Sequence, residues 1–332
     1  MKLVGLKCRF SIAPMMEYTD RHERYFLRQI SRRAFLYTEM VTAEAVIHGN
    51  RERLLGFSNE EHPIALQLGG ADPDRMALAA EIGQEFGYDE VNINVGCPSD
   101  RVQSGRFGAC LMGEPDLVAT MVRTMHKAVD IPITVKSRIG IDDLDSYDFL
   151  CRFVDTIATA GCQNFIVHAR KACLSGLSPK QNREIPPLNY ERVYRLKGDY
   201  PELEIVINGG IETLEQCHKH LKNVDGVMIG RAAYHSPYLM AGVDQGIFGD
   251  PTPIPSRAKL VRAMQPYIER QLATGVRLNA ISRHMLGLFH GEPGARAWRR
   301  YISERSHLPG ADGSLLLGAV AQMLPACTEL VG

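Results

Sequence analysis

"PITVKSRIGIDDLDSYDFLCRFVDTIATAGCQNFIVHAR" (132–170) begins and ends in short runs of strand character, PITVKSRIG (132–140) and NFIVHAR (164–170), separated by a segment with helical spacing. Strand, helix, strand reads as a parallel pair joined by a helical crossover. The pattern recurs: eight candidate strands lie at 9–15, 36–43, 63–70, 90–96, 132–140, 164–170, 204–210 and 226–233. Helix candidates between them include 72–86, which opens with Asp72-Pro73 at its N-cap and first position, and 114–129. Eight such units predict an α/β fold, a closed (β/α)8 TIM barrel over 1–248, with a doubly wound open sheet as the alternative. A Pro/Gly linker follows at 249–255, and 256–332 reads as a small helical domain.

Composition narrows the class. A chain of 332 residues with 45% hydrophobic content can bury a large core. Its eight cysteines form no C-x-x-C pair, and Lys2, Lys7 and Arg9 interrupt the apolar stretch a signal peptide would need, so reduced thiols in a cytoplasm are expected. The longest apolar run, 315–324, is too short for a membrane span, which takes about 20 residues. No metal-ligand spacing is visible. Net charge is zero, but residues 255–332 hold ten Lys/Arg against five Asp/Glu. That asymmetry suits a polyanionic partner, or simply a solvated helical surface.

In a barrel of this kind the chemistry sits at the carboxyl ends of the strands. Gln67, Lys136, His168 and Asn208 all fall there, with Gly209-Gly210 after Asn208 and Gly230-Arg231 at the last strand end. One lysine or histidine in an apolar strand is more often a paired structural residue than a catalyst. Four polar groups at equivalent ends point to a site. Asn208-Gly209-Gly210, read as opening a helix directly, and Gly230-Arg231 suit a phosphorylated ligand. Cys97 follows the fourth strand between Gly96 and Pro98. A thiol is mostly protonated at neutral pH and can serve as proton donor or nucleophile. An inert buried cysteine is the plainer reading, which the position at the barrel mouth reverses.

At these residues the sequence resembles a known family. IAPMMEYTDRHERYFLR, LYTEMVTAEAVIHG, LQLGGADP, NVGCPSDRVQSGRFGACLM, HARKACLSGLSPKQNREIPPLNY and INGGIET are similar, in order and spacing, to the A type of the tRNA-dihydrouridine synthases. The resemblance implies an FMN-binding barrel that reduces uridine in the D-loop of tRNA, at positions 20 and 20a, with NADPH as reductant. Carried over residue by residue, it places the flavin against Pro14, Met15, Met16, Gln67, Lys136, His168, Asn208, Gly209, Gly210, Gly230 and Arg231. It makes Cys97 the proton donor and puts tRNA contacts on Asn94, Lys180, Arg183, Arg296 and Arg299. Tyr18 and Cys173 stand where tryptophan is usual. A monomer is expected, acting on tRNA, with no membrane and no metal.

Three other readings stay open on the residues. A flavin barrel acting on a free pyrimidine would need no basic appendage. An aldolase-like barrel would use Lys136 as a Schiff base. A non-enzymatic RNA-binding protein would leave the strand-end polar groups unexplained.

Overall fold

The computed structural model describes residues 8–99, 102 and 105–323. Nine strands are all paired in parallel: β1 Phe10–Ile12, β2 Leu36–Tyr37, β3 Val41–Thr42, β4 Ile64–Gly69, β5 Glu90–Val95, β6 Ile133–Arg138, β7 Asn164–His168, β8 Glu204–Asn208 and β9 Gly226–Ile229. They run in the order β1-β9-β8-β7-β6-β5-β4-β2. The ring closes where Ile12 N donates to Phe35 O (2.9 Å) and Phe35 N donates to Phe10 O (3.0 Å). The barrel expected from strand-helix alternation is present.

One expected strand, 36–43, is two. β2 and β3 share the second barrel position, both pairing with β4. Thr38 continues the ladder after β2: its N–H donates to Ala65 O (3.0 Å) and its hydroxyl accepts from Gln67 N (3.0 Å). The last expected strand, 226–233, stops at Ile229, and Arg231–His235 is helical; Arg-Ala-Ala-Tyr has ordinary helix propensity once the parallel pairing ends. Helices form where the caps allow. Asp72 accepts from Asp74 N and Arg75 N ahead of Pro73–Glu85, and Pro115 opens Pro115–Ala128.

Alternate residues of each strand point into the barrel, and parallel register stacks them in layers. Ala13, Phe35, Tyr37, Ala65, Ile166, Val206 and Met228 form one buried apolar cluster with Cys8. On β5 the inward positions are instead Glu90, Asn92 and Asn94, and on β6 they are Thr134, Lys136 and Arg138, with Asn92 opposite Thr134 and Asn94 opposite Lys136.

The chain divides into two compact units. One takes in the chain up to Glu17 and Phe35–Gly230; the other takes in Tyr18–Ala34 and the chain from Arg231 onward. The division therefore falls at Gly230, not in the Pro/Gly stretch 249–255, and it includes an early helix. Within the second unit, helix Arg21–Ile30 stacks Tyr25 on Tyr267 (3.9 Å between centroids). His22 Nδ1 lies 2.7 Å from the Tyr267 hydroxyl, and Asp20 meets Arg283 and His284. From Arg257 onward all described elements are helical: Arg257–Ala263, Gln265–Ala273, Leu278–Ser282, Arg283–Met285, Ala295–Arg305 and Ser314–Met323. No described helix is long and apolar enough to cross a membrane.

Candidate active site at the carboxyl end of the barrel

Four strands deliver one polar side chain each to the same end of the first unit. Lys136 on β6 donates from Nζ to Asn208 Oδ1 on β8 (3.1 Å), and Asn208 Nδ2 donates to Met228 O (2.8 Å), which fixes the amide's orientation. His168 on β7 lies between them in register, paired with Arg138 on one side and Asn208 on the other. Gln67 on β4 is 1% exposed and holds Asn92 and Asn94 on β5.

Burial and like charge tune the titratable groups. Burial, with Arg138 adding to it, pushes the Lys136 ammonium down to about 7. Burial and the surrounding Arg138, Lys136, Arg170 and Arg183 drive His168 well below the usual imidazole range. His168 is therefore neutral at pH 7, and Lys136 is poised between its two forms.

Cys97 lies in the loop after β5, half-buried, and the loop is pinned from three directions. Asn94 Oδ1 accepts from Gly96 N (3.1 Å) and Cys97 N (3.0 Å). Ala109 N donates to Cys97 O (2.8 Å), and Arg138 Nε donates to Gly96 O (3.1 Å). Glycine is required at 108: its φ is +77°, and a Cβ there would sit 2.6 Å from Cys97 O. Asp100, Arg101, Gln103 and Ser104 of the same motif lie outside the described residues.

Arg138 is 4% exposed and reaches a second loop, donating from Nη1 to Asn182 O (3.1 Å). The fully buried Asn182 in turn exchanges bonds with Cys173, accepting from its N–H (2.7 Å) and donating to its carbonyl (2.9 Å). This is the loop of RKACLSGLSPKQNR, and Arg138 ties it to the Cys97 loop.

A family model described as "Dihydrouridine synthase (Dus)" matches residues 11–322. The chain belongs to the dihydrouridine synthase family. Proteins named "tRNA-dihydrouridine(20/20a) synthase" are similar along nearly the whole length. The one from Vibrio cholerae is 59% identical over 317 residues, covering 95% of this chain and 97% of that protein. The one from Synechocystis is 60% identical over 316 residues, covering 95% of each. The one from Shewanella oneidensis is 62% identical over 302 residues, covering 91% of this chain and 90% of that protein. Among solved structures, a 2-naphthoyl-CoA reductase complex superposes with a TM-score of 0.54 at 10% identity, over 76% of this chain and 51% of that one, a likeness of fold alone.

The remaining expected residues of this dihydrouridine synthase fall as follows. Pro14 and Met15 are half-buried after β1, Met15 against the barrel cluster, while Met16 is exposed. Gly209 and Gly210 follow β8 with φ of +116° and +67°; a Cβ on Gly209 would lie 2.5 Å from His168 Cδ2. They do not open a helix directly: Leu214–His220 begins after a Thr213/Gln216 capping box. Gly230 follows β9 beside Met15, and Arg231, exposed, starts the second unit. Lys180 and Arg183 are exposed at either end of the short turn Gln181–Arg183, where i and i+3 eclipse. Arg296 and Arg299 are exposed on helix Ala295–Arg305, whose other side buries Trp298 and Ile302.

Sequence reasoning missed Arg138, Gly108 and the polar inward face of β5. The signal was present for two of them: Arg138 lies two residues from Lys136, on the same side of β6, and Glu90-Asn92-Asn94 alternate on β5.

Proposed function

We propose that this dihydrouridine synthase reduces uridines 20 and 20a in the D-loop of tRNA, using FMN reduced by NADPH, with Cys97 as the proton donor. The observation that carries this reading is the convergence of Gln67, Lys136, His168 and Asn208 on the barrel end where the Cys97 loop is pinned. Those residues fit a flavin. The glycine turn at 209–210 is so close to His168 and Leu188 that a side chain would fill it, and the donor set suits a ring edged with carbonyls. Gln67, Lys136, His168, Asn208 to Gly210, Gly230, Arg231 and the Pro14 to Met16 turn would hold it.

When bound, the flavin supplies the hydride that C6 of uracil accepts. Cys97 delivers the proton to C5. Lys136, charged in part at neutral pH, opposes the negative charge that builds up on that side of the site. Neutral His168 and Asn208 offer hydrogen bonds without adding charge. The target base has to leave its stack to reach the site. Asn94 meets it there, while Lys180, Arg183, Arg296 and Arg299 hold phosphates and set register. This favours tRNA over a free pyrimidine, since exposed paired cations occur in both units.

The test is the visible spectrum of the purified protein. A yellow preparation that releases FMN on denaturation and bleaches with NADPH supports the reading. A colourless protein that takes up no added FMN overturns it.

A further inference from the structure

Glu90 is buried at the amino end of β5, 5% exposed, and no step above uses it. It ends a continuous chain of hydrogen bonds through the barrel. Thr134 Oγ1 donates to Glu90 Oε1 (2.6 Å), Asn92 Nδ2 donates to Thr134 Oγ1 (2.8 Å), and Gln67 Nε2 donates to Asn92 Oδ1 (2.8 Å). Asn94 Nδ2 then donates to Gln67 Oε1 (2.8 Å), and Asn94 Oδ1 accepts from Gly96 N and Cys97 N. The chain has one direction. Backbone N–H groups can only donate, which makes Asn94 Oδ1 the acceptor, and each link then fixes the next down to the Thr134 hydroxyl. An acceptor is required at the bottom, and Glu90 is that acceptor.

We propose that Glu90 is a positioning residue for the acid loop, acting through Thr134, Asn92, Gln67 and Asn94 to hold Cys97 at its working place and to aim the spare Asn94 N–H at the substrate base. The idea rests on the functional reading above. Other groups facing Glu90 are the Tyr37 hydroxyl, which also donates to Oε1 (2.9 Å), and the charges or thiols of Glu204, Asp89, Cys8 and Cys162. None of them offers an alternative bottom acceptor on Thr134. A buried network linked without a break from Glu90 to Asn94 favours a single geometry.

Thr134→Val keeps the shape of the side chain and cuts the chain in its middle, and Asn92→Leu cuts it one link higher. With FMN bound and tRNA saturating, both should lower the single-turnover rate of dihydrouridine formation by about 10- to 100-fold, the scale of a misplaced catalytic group. FMN content, NADPH reduction of the flavin and KM for tRNA should stay within about twofold, a split that general loss of structure would not produce. Thr134→Ser should restore the rate. Folded, FMN-loaded Thr134→Val and Asn92→Leu proteins with wild-type rates, or a Thr134→Ser as slow as Thr134→Val, would overturn the proposal. Wild type that makes no dihydrouridine would instead refute the functional reading itself.

Discussion

The two ends of the barrel interior differ in charge: cations from β6 and the loop after β7 gather at the carboxyl end, and acids from β5 and β8 lie at the amino end. β5 carries Glu90 at its amino end and Asn94 beside Cys97 at the other, and β8 carries Glu204 at one end and Asn208 at the other. At the carboxyl end Lys136, Arg138, Arg170 and Arg183 surround His168; at the amino end Glu90 faces Glu204, Tyr37 and Cys8. Burial pushes a group toward neutrality at each end, Lys136 down to about 7 and Glu90 up to about 7. In the function proposed above, the cationic end is the one that meets the ligands. In the inference drawn above the acidic end orders that site, so that a buried carboxyl would serve it from the far side of the barrel core.

The largest expected effect lies at the cationic end. Cys97→Ala should leave NADPH reduction of the flavin intact while dihydrouridine formation falls by about 100-fold or more, the usual scale for a general acid. Rapid-quench assays of the two half-reactions check it, and parallel loss of both would mean that Cys97 serves structure instead.

The two ends should next separate by pH. Glu90 keeps its proton to about 7 in the folded chain against 4.5 for a free carboxyl, so the folded state binds more protons in that window and stability falls as pH rises through it. Glu90→Gln should therefore gain up to about 3 kcal/mol at pH 8 and nothing below pH 4. Lys136 is the mirror case. Its folded value of about 7 against 10.5 makes the unfolded chain bind more protons, so stability rises with pH between those values. Lys136→Met should gain stability at pH 7 and below and not above pH 11, while losing flavin binding. Urea denaturation of flavin-free proteins across pH reads both slopes; equal slopes for the two variants would break the comparison.

A smaller effect belongs to the second unit. Arg296→Ala with Arg299→Ala should weaken tRNA binding and flatten its salt dependence by about one unit per lost phosphate contact, with flavin reduction unchanged. Binding titrations at several salt concentrations measure it. An unaltered slope would make both arginines ordinary solvated surface charges.

Much of this was legible before the structure. β4 to β8 lie inside the expected strands because β-branched runs bounded by Gly, Pro and charged turns leave little choice of register. That Lys136, His168 and Asn208 gather at one end of the barrel was legible because polar groups recur at equivalent strand ends, and that Cys97 lies at the same end because it directly follows the fourth expected strand. β5 shows the limit. Glu90-Asn92-Asn94 alternate with Val91-Ile93-Val95, and in a sheet with one wet face the polar set would face water. Here the apolar set packs outward on helices and the polar set fills the barrel, a choice made by closure of the sheet and not by local sequence. The early helix Arg21–Ile30 escaped assignment to the second unit for the same reason: its partners Tyr267 and His284 are more than two hundred residues away.

Mapping dihydrouridine in tRNA tests the central claim most directly. Unmodified tRNA is incubated with the purified protein, FMN and NADPH, and each D-loop position is read by reverse transcription after alkaline or borohydride treatment. The account predicts dihydrouridine at positions 20 and 20a, and none there with Cys97→Ala. Modification confined to another position, or none by a flavin-loaded wild type, would contradict it.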